Sequence, residues 1–338
     1  MQIQANYPLR NYNTFGLEST ASYFAEVTSL TELKSILTDP EWKQKPKFIL
    51  GGGSNILFTQ NIDALVIHPQ LTGIEKISED ETYIRLKVGG GESWHAFVMY
   101  CVDHGYAGVE NLSLIPGSVG AAPMQNIGAY GVEVKNVIES VEAVSIESGE
   151  TRLFSKEECR FGYRESIFKK EAKGQYIITG VTFILSKKPG LNVGYGDVQK
   201  TLLEMNVTDP TIRDVSEAIM QIRRSKLPDP AKIGNAGSFF KNPEISAAVF
   251  EKLKKSYSQL PGYPVNDEVM KVPAGWLIEQ AGWKGYRQGN VGVHEKQALV
   301  LVNYGGGTGH EIKALSERIQ DSVKTKFGIA LNAEVNFI

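Results

Sequence analysis

Ile212, Val215, Ile219 and Ile222 recur at intervals of three and four, which places them on one face of a helix and leaves the residues between them to solvent. The same spacing predicts helices over 30–37, 94–103, 274–280 and 309–327. Short runs rich in β-branched and aromatic residues predict strands at 48–50, 64–67, 83–88, 141–146, 176–185, 298–303 and 334–338. The first of these runs straight into Gly51-Gly52-Gly53-Ser54-Asn55, a glycine turn at the end of a buried strand. Past Pro189 the pattern breaks into a glycine-flanked loop, Leu191-Asn192-Val193-Gly194-Tyr195-Gly196-Asp197, and a boundary between domains is expected near Asp209-Pro210. The glycine triplets at 51–53, 89–91 and 305–307 sit in unlike surroundings and define no repeat.

Length changes the picture first, because 338 residues exceed one ordinary core and imply two or three units. With 42% hydrophobic and 22% charged residues the chain has the composition of a soluble globular protein. A net charge of -2 lacks the basic excess that a nucleic-acid or anionic-membrane partner requires, so any anion must be met locally. The start, Met1-Gln2-Ile3-Gln4, lacks a basic, apolar leader, and no stretch supplies the ~18 apolar residues of a membrane span. A cytoplasmic protein with no obligatory protein partner is expected. Cys101 and Cys159 form no CxxC and read as buried thiols, and the five histidines show no metal-ligand spacing, so no metal is expected.

Candidate chemistry sits in three glycine-bearing segments. Gly51-Gly52-Gly53-Ser54-Asn55 offers successive bare N–H groups, the donor set a diphosphate needs, although such a triplet alone is more often a tight turn. No GxGxxG or GxxxxGK[ST] occurs, so a dinucleotide cannot be held in the Rossmann or P-loop manner. Pro116-Gly117-Ser118-Val119-Gly120-Ala121-Ala122-Pro123 with Asn126-Ile127-Gly128-Ala129-Tyr130-Gly131 is too poor in bulk to build a core. It suits equally a buried loop and close backbone approach to a flat ring. In Gly234-Asn235-Ala236-Gly237-Ser238-Phe239-Phe240-Lys241-Asn242-Pro243, a small hydroxyl stands between permissive glycines and near Lys226 and Lys241. Taken alone, that serine reads more readily as a turn that caps the next helix.

These segments, together with Asn13-Thr14-Phe15-Gly16, Arg160-Phe161-Gly162-Tyr163-Arg164 and the terminal Ala333-Glu334-Val335, resemble in order and over nearly the whole chain the UDP-N-acetylenolpyruvoylglucosamine reductase family of flavoenzymes. The resemblance implies an α+β, two-lobed flavin domain of the PCMH or vanillyl-alcohol-oxidase type followed by an α/β substrate-binding domain. The lobes are expected at 1–68 and 69–210, with a flavin region of 17–189, and the substrate domain at 211–338, its last strand returning Glu334 to the site. It implies FAD as cofactor, with Gly51, Gly52, Gly53, Ser54, Asn55, Gly117, Ser118, Gly120 and Asn126 contributing to its site, and NADPH as reductant. The implied reaction adds hydride to C3 and a proton to C2 of UDP-N-acetylglucosamine enolpyruvate, giving UDP-N-acetylmuramate for peptidoglycan synthesis.

By the same resemblance Arg164 steadies the developing enolate, Ser238 gives the proton and Glu334 is the third catalytic residue. Lys226, Asn242 and Gln297 match substrate ligands, and Tyr195 matches the tyrosine of the mobile loop found in the long, type I form. Asn332-Ala333 precedes the glutamate where Glu-Pro is the family habit. Another oxidase on the same flavin scaffold and a non-catalytic nucleotide-binding module are the rival readings. Yellow colour on purification together with NADPH turnover separates all three.

Overall fold

Ile84, Leu86 and Val88 alternate with more exposed neighbours, and the strand they predict is Tyr83–Gly89 in the computed structural model, which describes residues 2–338. It lies in a five-stranded antiparallel sheet in the order Thr151–Ser155, Ile138–Ser145, Tyr176–Ser186, Tyr83–Gly89, Ile74–Glu79. The helix Trp94–Asp103 buries Trp94, Phe97, Val98, Cys101 and Val102 in the core that contains this sheet's inward side chains. A second sheet orders Ile3–Pro8, Thr20–Val27, Ile62–Pro69 and Lys47–Ile49, the last two parallel. Ile3–Pro8 and Thr20–Val27 escape the sequence pattern, the latter because two of its inward positions are Ala21 and Ala25, which carry little strand signal.

The chain divides into two compact units. The first takes the chain up to Tyr7 with Ala21–Gly52 and Asp63–Ser225, and the second takes Pro8–Thr20, Gly53–Ile62 and Lys226–Ile338. The sequence boundary near 210 therefore differs from the observed one. The reason is the helix Ile212–Lys226, whose Val215, Ala218, Ile219 and Ile222 pack with Val198 and Leu202 of the helix Gly196–Glu204. That shorter helix begins inside the glycine-flanked loop.

In the second unit, Gly234–Asn235, Leu301–Asn303, Val291–Val293 and Arg287–Gln288 form one antiparallel sheet. Helix Gly309–Phe327 starts in a capping box between Thr308 and Glu311 and stops at Gly328, whose φ of 69° only glycine takes cheaply. Its Ile312, Leu315, Ile319, Val323 and Phe327 enter this unit's core with Phe239 and Phe240. Asn336–Phe337 pairs in parallel with Ile56–Leu57, which ties the carboxyl end to the segment following the first glycine turn.

Cys101 and Cys159 are both buried, and burial raises both thiols, Cys159 to about 12. Among the described residues no helix is long and apolar enough to cross a membrane, and no group of His, Cys, Asp and Glu could hold a metal ion.

Candidate active site

In the first unit, glycines meet main chain to main chain. A methyl group on Gly52 would stand 2.8 Å from the Gly117 Cα, and one on Gly51 would stand 3.2 Å from the Ser118 hydroxyl. Gly120 N–H donates to the Gly90 carbonyl at 2.8 Å, and a methyl group on Gly120 would stand 2.9 Å from that oxygen. Gly90 N–H donates in turn to Thr179 O at 2.8 Å, which anchors the cluster on the five-stranded sheet. The result is a floor in which glycine-bearing segments meet closely, so that a Cβ on Gly52 or Gly120 would strike backbone and one on Gly51 the Ser118 side chain. Gly89-Gly90-Gly91, set aside in the sequence for want of a period, is part of it. Its signal was its place at the end of the 83–88 strand.

Asn126 lies wholly buried beside this floor with φ +45°. Its amide donates to Gly162 O at 2.8 Å and to Glu133 at 3.1 Å, and its side-chain oxygen accepts from Lys135 N–H at 3.1 Å. Every group of the side chain is thus engaged in holding the loop to the turn that carries Arg164. That turn closes through mutual hydrogen bonds of Gly162 and Glu165 at 3.0 and 3.2 Å, and forces Arg164 to φ +55°. A non-glycine residue there costs about 1–3 kcal/mol, which the guanidinium's contacts with Gly128 O, Asn126 O at 3.5 Å and the Tyr163 ring help to offset. Glu165 pairs with Lys170 at 2.5 Å.

The other candidates of this unit lie farther along the chain. Tyr195 is 45% exposed and stands edge-on to Tyr130, ring centres 5.6 Å apart. Tyr130 itself has φ +48° and a phenol whose pKa is raised by burial, with Arg223 opposing the shift. Burial lowers His95, and Arg224 and Arg223 push it the same way.

The second unit takes in Gly53, Ser54 and Asn55. Gly53 has φ +62° and a methyl group on it would lie 2.0 Å from Tyr12 O, so the Asn13-Thr14-Phe15-Gly16 segment packs directly on this turn. Asn13, buried, braces its own segment by donating to Leu9 O and Leu17 O at 3.0 Å each and accepting from Leu17 N–H at 2.9 Å. Thr14 O accepts from Asn235 N–H at 3.0 Å, which ties the segment to the Ser238 turn.

Ser238 follows Gly237, whose φ of +68° reverses the chain, and Gly237 N–H is held at 2.9 Å by the side chain of buried Asn235. Phe239 and Phe240 are buried while Ser238 is exposed, so the hydroxyl is presented on a backbone anchored from both sides. It caps no helix; the next one, Ala247–Ser256, is capped by Ser246. Phe239 O accepts from Glu334 N–H at 2.8 Å and Lys241 N–H donates to Asn332 O at 2.9 Å, so the Ser238 and Glu334 segments run side by side. Asn55 joins them, its amide donating to Glu334 O at 3.3 Å. Asn242 and Gln297 flank the start of helix Ala274–Gln280. Asn242 Oδ1 accepts from Ala274 N–H at 2.9 Å, and a methyl group on Gly275 would meet Gln297 Oε1 at 3.1 Å. Lys226 is half-buried at the end of helix Ile212–Lys226.

The family model for the FAD binding domain matches residues 21–155, and that for the UDP-N-acetylenolpyruvoylglucosamine reductase C-terminal domain matches 229–338. The UDP-N-acetylenolpyruvoylglucosamine reductase of Flavobacterium johnsoniae is 52% identical over 100% of both chains. The chain belongs to the UDP-N-acetylenolpyruvoylglucosamine reductase family. The family member of Amoebophilus asiaticus is 51% identical, again over 100% of each chain. The crystal structure of the reductase from Thermus caldophilus shares the fold, with a TM-score of 0.66 and 24% identity over 99% of this chain and 98% of that one.

As a member of this family the protein is a flavoprotein oxidoreductase, FAD its cofactor, with the flavin domain first and the reductase domain after it. The glycine floor is compatible with that cofactor, since Gly51, Gly52, Gly117 and Gly120 present no side chains of their own. Asn111, buried, had no sequence signal, and Tyr130, at its strained φ, stood in a segment singled out for its glycines and not for its own side chain.

Proposed function

We propose that this protein reduces UDP-N-acetylglucosamine enolpyruvate to UDP-N-acetylmuramate with NADPH, in the cytoplasm, as a step of peptidoglycan precursor synthesis. The observation that carries the reading is Ser238, exposed on a rigid turn and backbone-paired beside Glu334 in a flavoprotein. Bound FAD supplies two-electron chemistry; the residues supply the rest. As hydride reaches C3, negative charge builds on the substrate carboxylate, and a fixed guanidinium such as that of Arg164 stabilises it more than it stabilises the ground state. Ser238 gives its hydroxyl proton to C2, a transfer that needs geometry more than acidity. Glu334 relays a proton to the serine or is itself protonated beside the enolate. Gly51, Gly52, Gly117, Ser118 and Gly120 hold the cofactor with Gly53, Ser54 and Asn55, and Asn126 keeps the loop in shape. The flavin spectrum under anaerobic NADPH, followed by addition of the enolpyruvate, tests the assignment: bleaching and then recovery are expected, and bleaching without recovery excludes it.

Lys226, Asn242, Gln297 and Tyr195 bind the substrate. Lys226→Ala should raise the substrate dissociation constant about tenfold, the loss expected for one charge-assisted contact. A purely structural lysine instead lowers the melting temperature and leaves calorimetric affinity alone. Tyr195→Phe should weaken substrate binding about fivefold with FAD content unchanged, because an exposed phenol loses only one hydrogen bond. Equal affinity of parent and variant removes the lid role.

A further inference from the structure

Asn111 is 1% exposed, and its amide donates in two directions, to Tyr130 O at 3.2 Å and to Asn192 O at 2.9 Å. The side-chain amide of Asn192 returns a hydrogen bond to Gly131 O at 3.2 Å. Four residues therefore lock the loop that carries Tyr195 onto the turn that carries Tyr130, with the two tyrosine rings edge to face. The side-chain oxygen of Asn111 is buried and accepts from no protein group. Gly131, at φ +80°, leaves room for the contact, since a methyl group on it would stand 3.2 Å from the Asn192 amide nitrogen.

We propose that Asn111 and Asn192 are positioning residues for the substrate lid, holding the Tyr195 loop against the Tyr130–Gly131 turn so that Tyr195 is in place before the substrate arrives. The inference rests on the reading of Tyr195 as a substrate contact. Its physical content is a population: when only a fraction of molecules has the loop placed, apparent affinity falls by that fraction while the bound complex reacts as before. The two asparagines thus act on KM and leave kcat alone.

Asn192 is exposed, so Asn192→Ala removes one tie without touching the core. Expected are faster hydrogen–deuterium exchange across 191–195, a substrate dissociation constant raised about three- to tenfold, unchanged kcat, and unchanged FAD content and flavin reduction by NADPH. Asn111→Asp, which keeps the shape and sets a carboxylate against two carbonyls, should show the same pattern from the buried side. Parent-like exchange across the loop in Asn192→Ala overturns the proposal. So does faster exchange with parent-like affinity when Tyr195→Phe, measured alongside, binds more weakly. Faster exchange with parent-like affinity in both variants removes the lid reading itself and leaves the mechanical tie standing.

Discussion

Ser238→Ala leaves flavin reduction by NADPH at the parent rate and slows reoxidation by UDP-N-acetylglucosamine enolpyruvate by about 10²–10⁴-fold, the usual contribution of a positioned general acid. The two half-reactions separate the role cleanly, since NADPH delivers hydride without a proton from the protein while the enolpyruvyl group needs both. The structure makes the variant a clean one. The hydroxyl is exposed and its removal leaves the turn intact, because that turn is held by Asn235 on Gly237 N–H and by the backbone bonds of Phe239 to Leu299 and Glu334. A barrier increase of roughly 3–5 kcal/mol therefore reports proton transfer and not misfolding. Stopped-flow absorbance, mixing first with NADPH and then with substrate under anaerobic conditions, reads both rates. Reoxidation at the parent rate would mean that the proton comes from elsewhere.

The distribution of that site over the chain explains what the sequence disclosed. Helices whose apolar positions repeat cleanly, such as Trp94–Asp103, Ala274–Gln280 and Gly309–Phe327, sit where periodicity places them, because burying one face sets both their extent and their caps. Motif residues were legible through their resemblance to the family, and of these only Gly237 announces its left-handed φ by residue type, whereas Arg164 and Asn126 do not. Long-range pairings were not. The Ser238 segment meets the Glu334 segment across nearly a hundred residues, and Asn55 reaches Glu334 O at a separation of 279, contacts with no local signal. The unit boundary shifted to 225 for the same reason, since the polar stretch around Asp209-Pro210 interrupts the chain while the apolar face of the following helix still packs backward on Val198 and Leu202. Asn111 and Tyr130 stayed hidden because an asparagine's two donations, or a tyrosine's left-handed φ, are properties of assembled loops.

Gly52→Ala tests the glycine floor, and the expected result is a protein that folds but is purified pale. The added methyl group would lie 2.8 Å from Gly117 Cα, and since the obstacle is backbone no side-chain rotation relieves it. The two segments must part by several tenths of an ångström, which in a packed region costs about 1–3 kcal/mol. If that contact shapes the cofactor's bed, the strain is relieved by letting the segments separate, and FAD affinity falls by roughly five- to a hundredfold. Gly194→Ala is the control, because a methyl group there meets no atom within 4 Å and the residue has no positive φ. It should keep full FAD content. Flavin absorbance per chain after dialysis, with the dissociation constant from titration of the stripped protein, measures the effect. Circular dichroism on the same samples separates cofactor loss from unfolding. A Gly52→Ala protein that is fully folded and binds FAD with parent affinity would place the cofactor away from the meeting point of Gly51-Gly52 with Gly117-Ser118, and the floor would then be a packing contact alone.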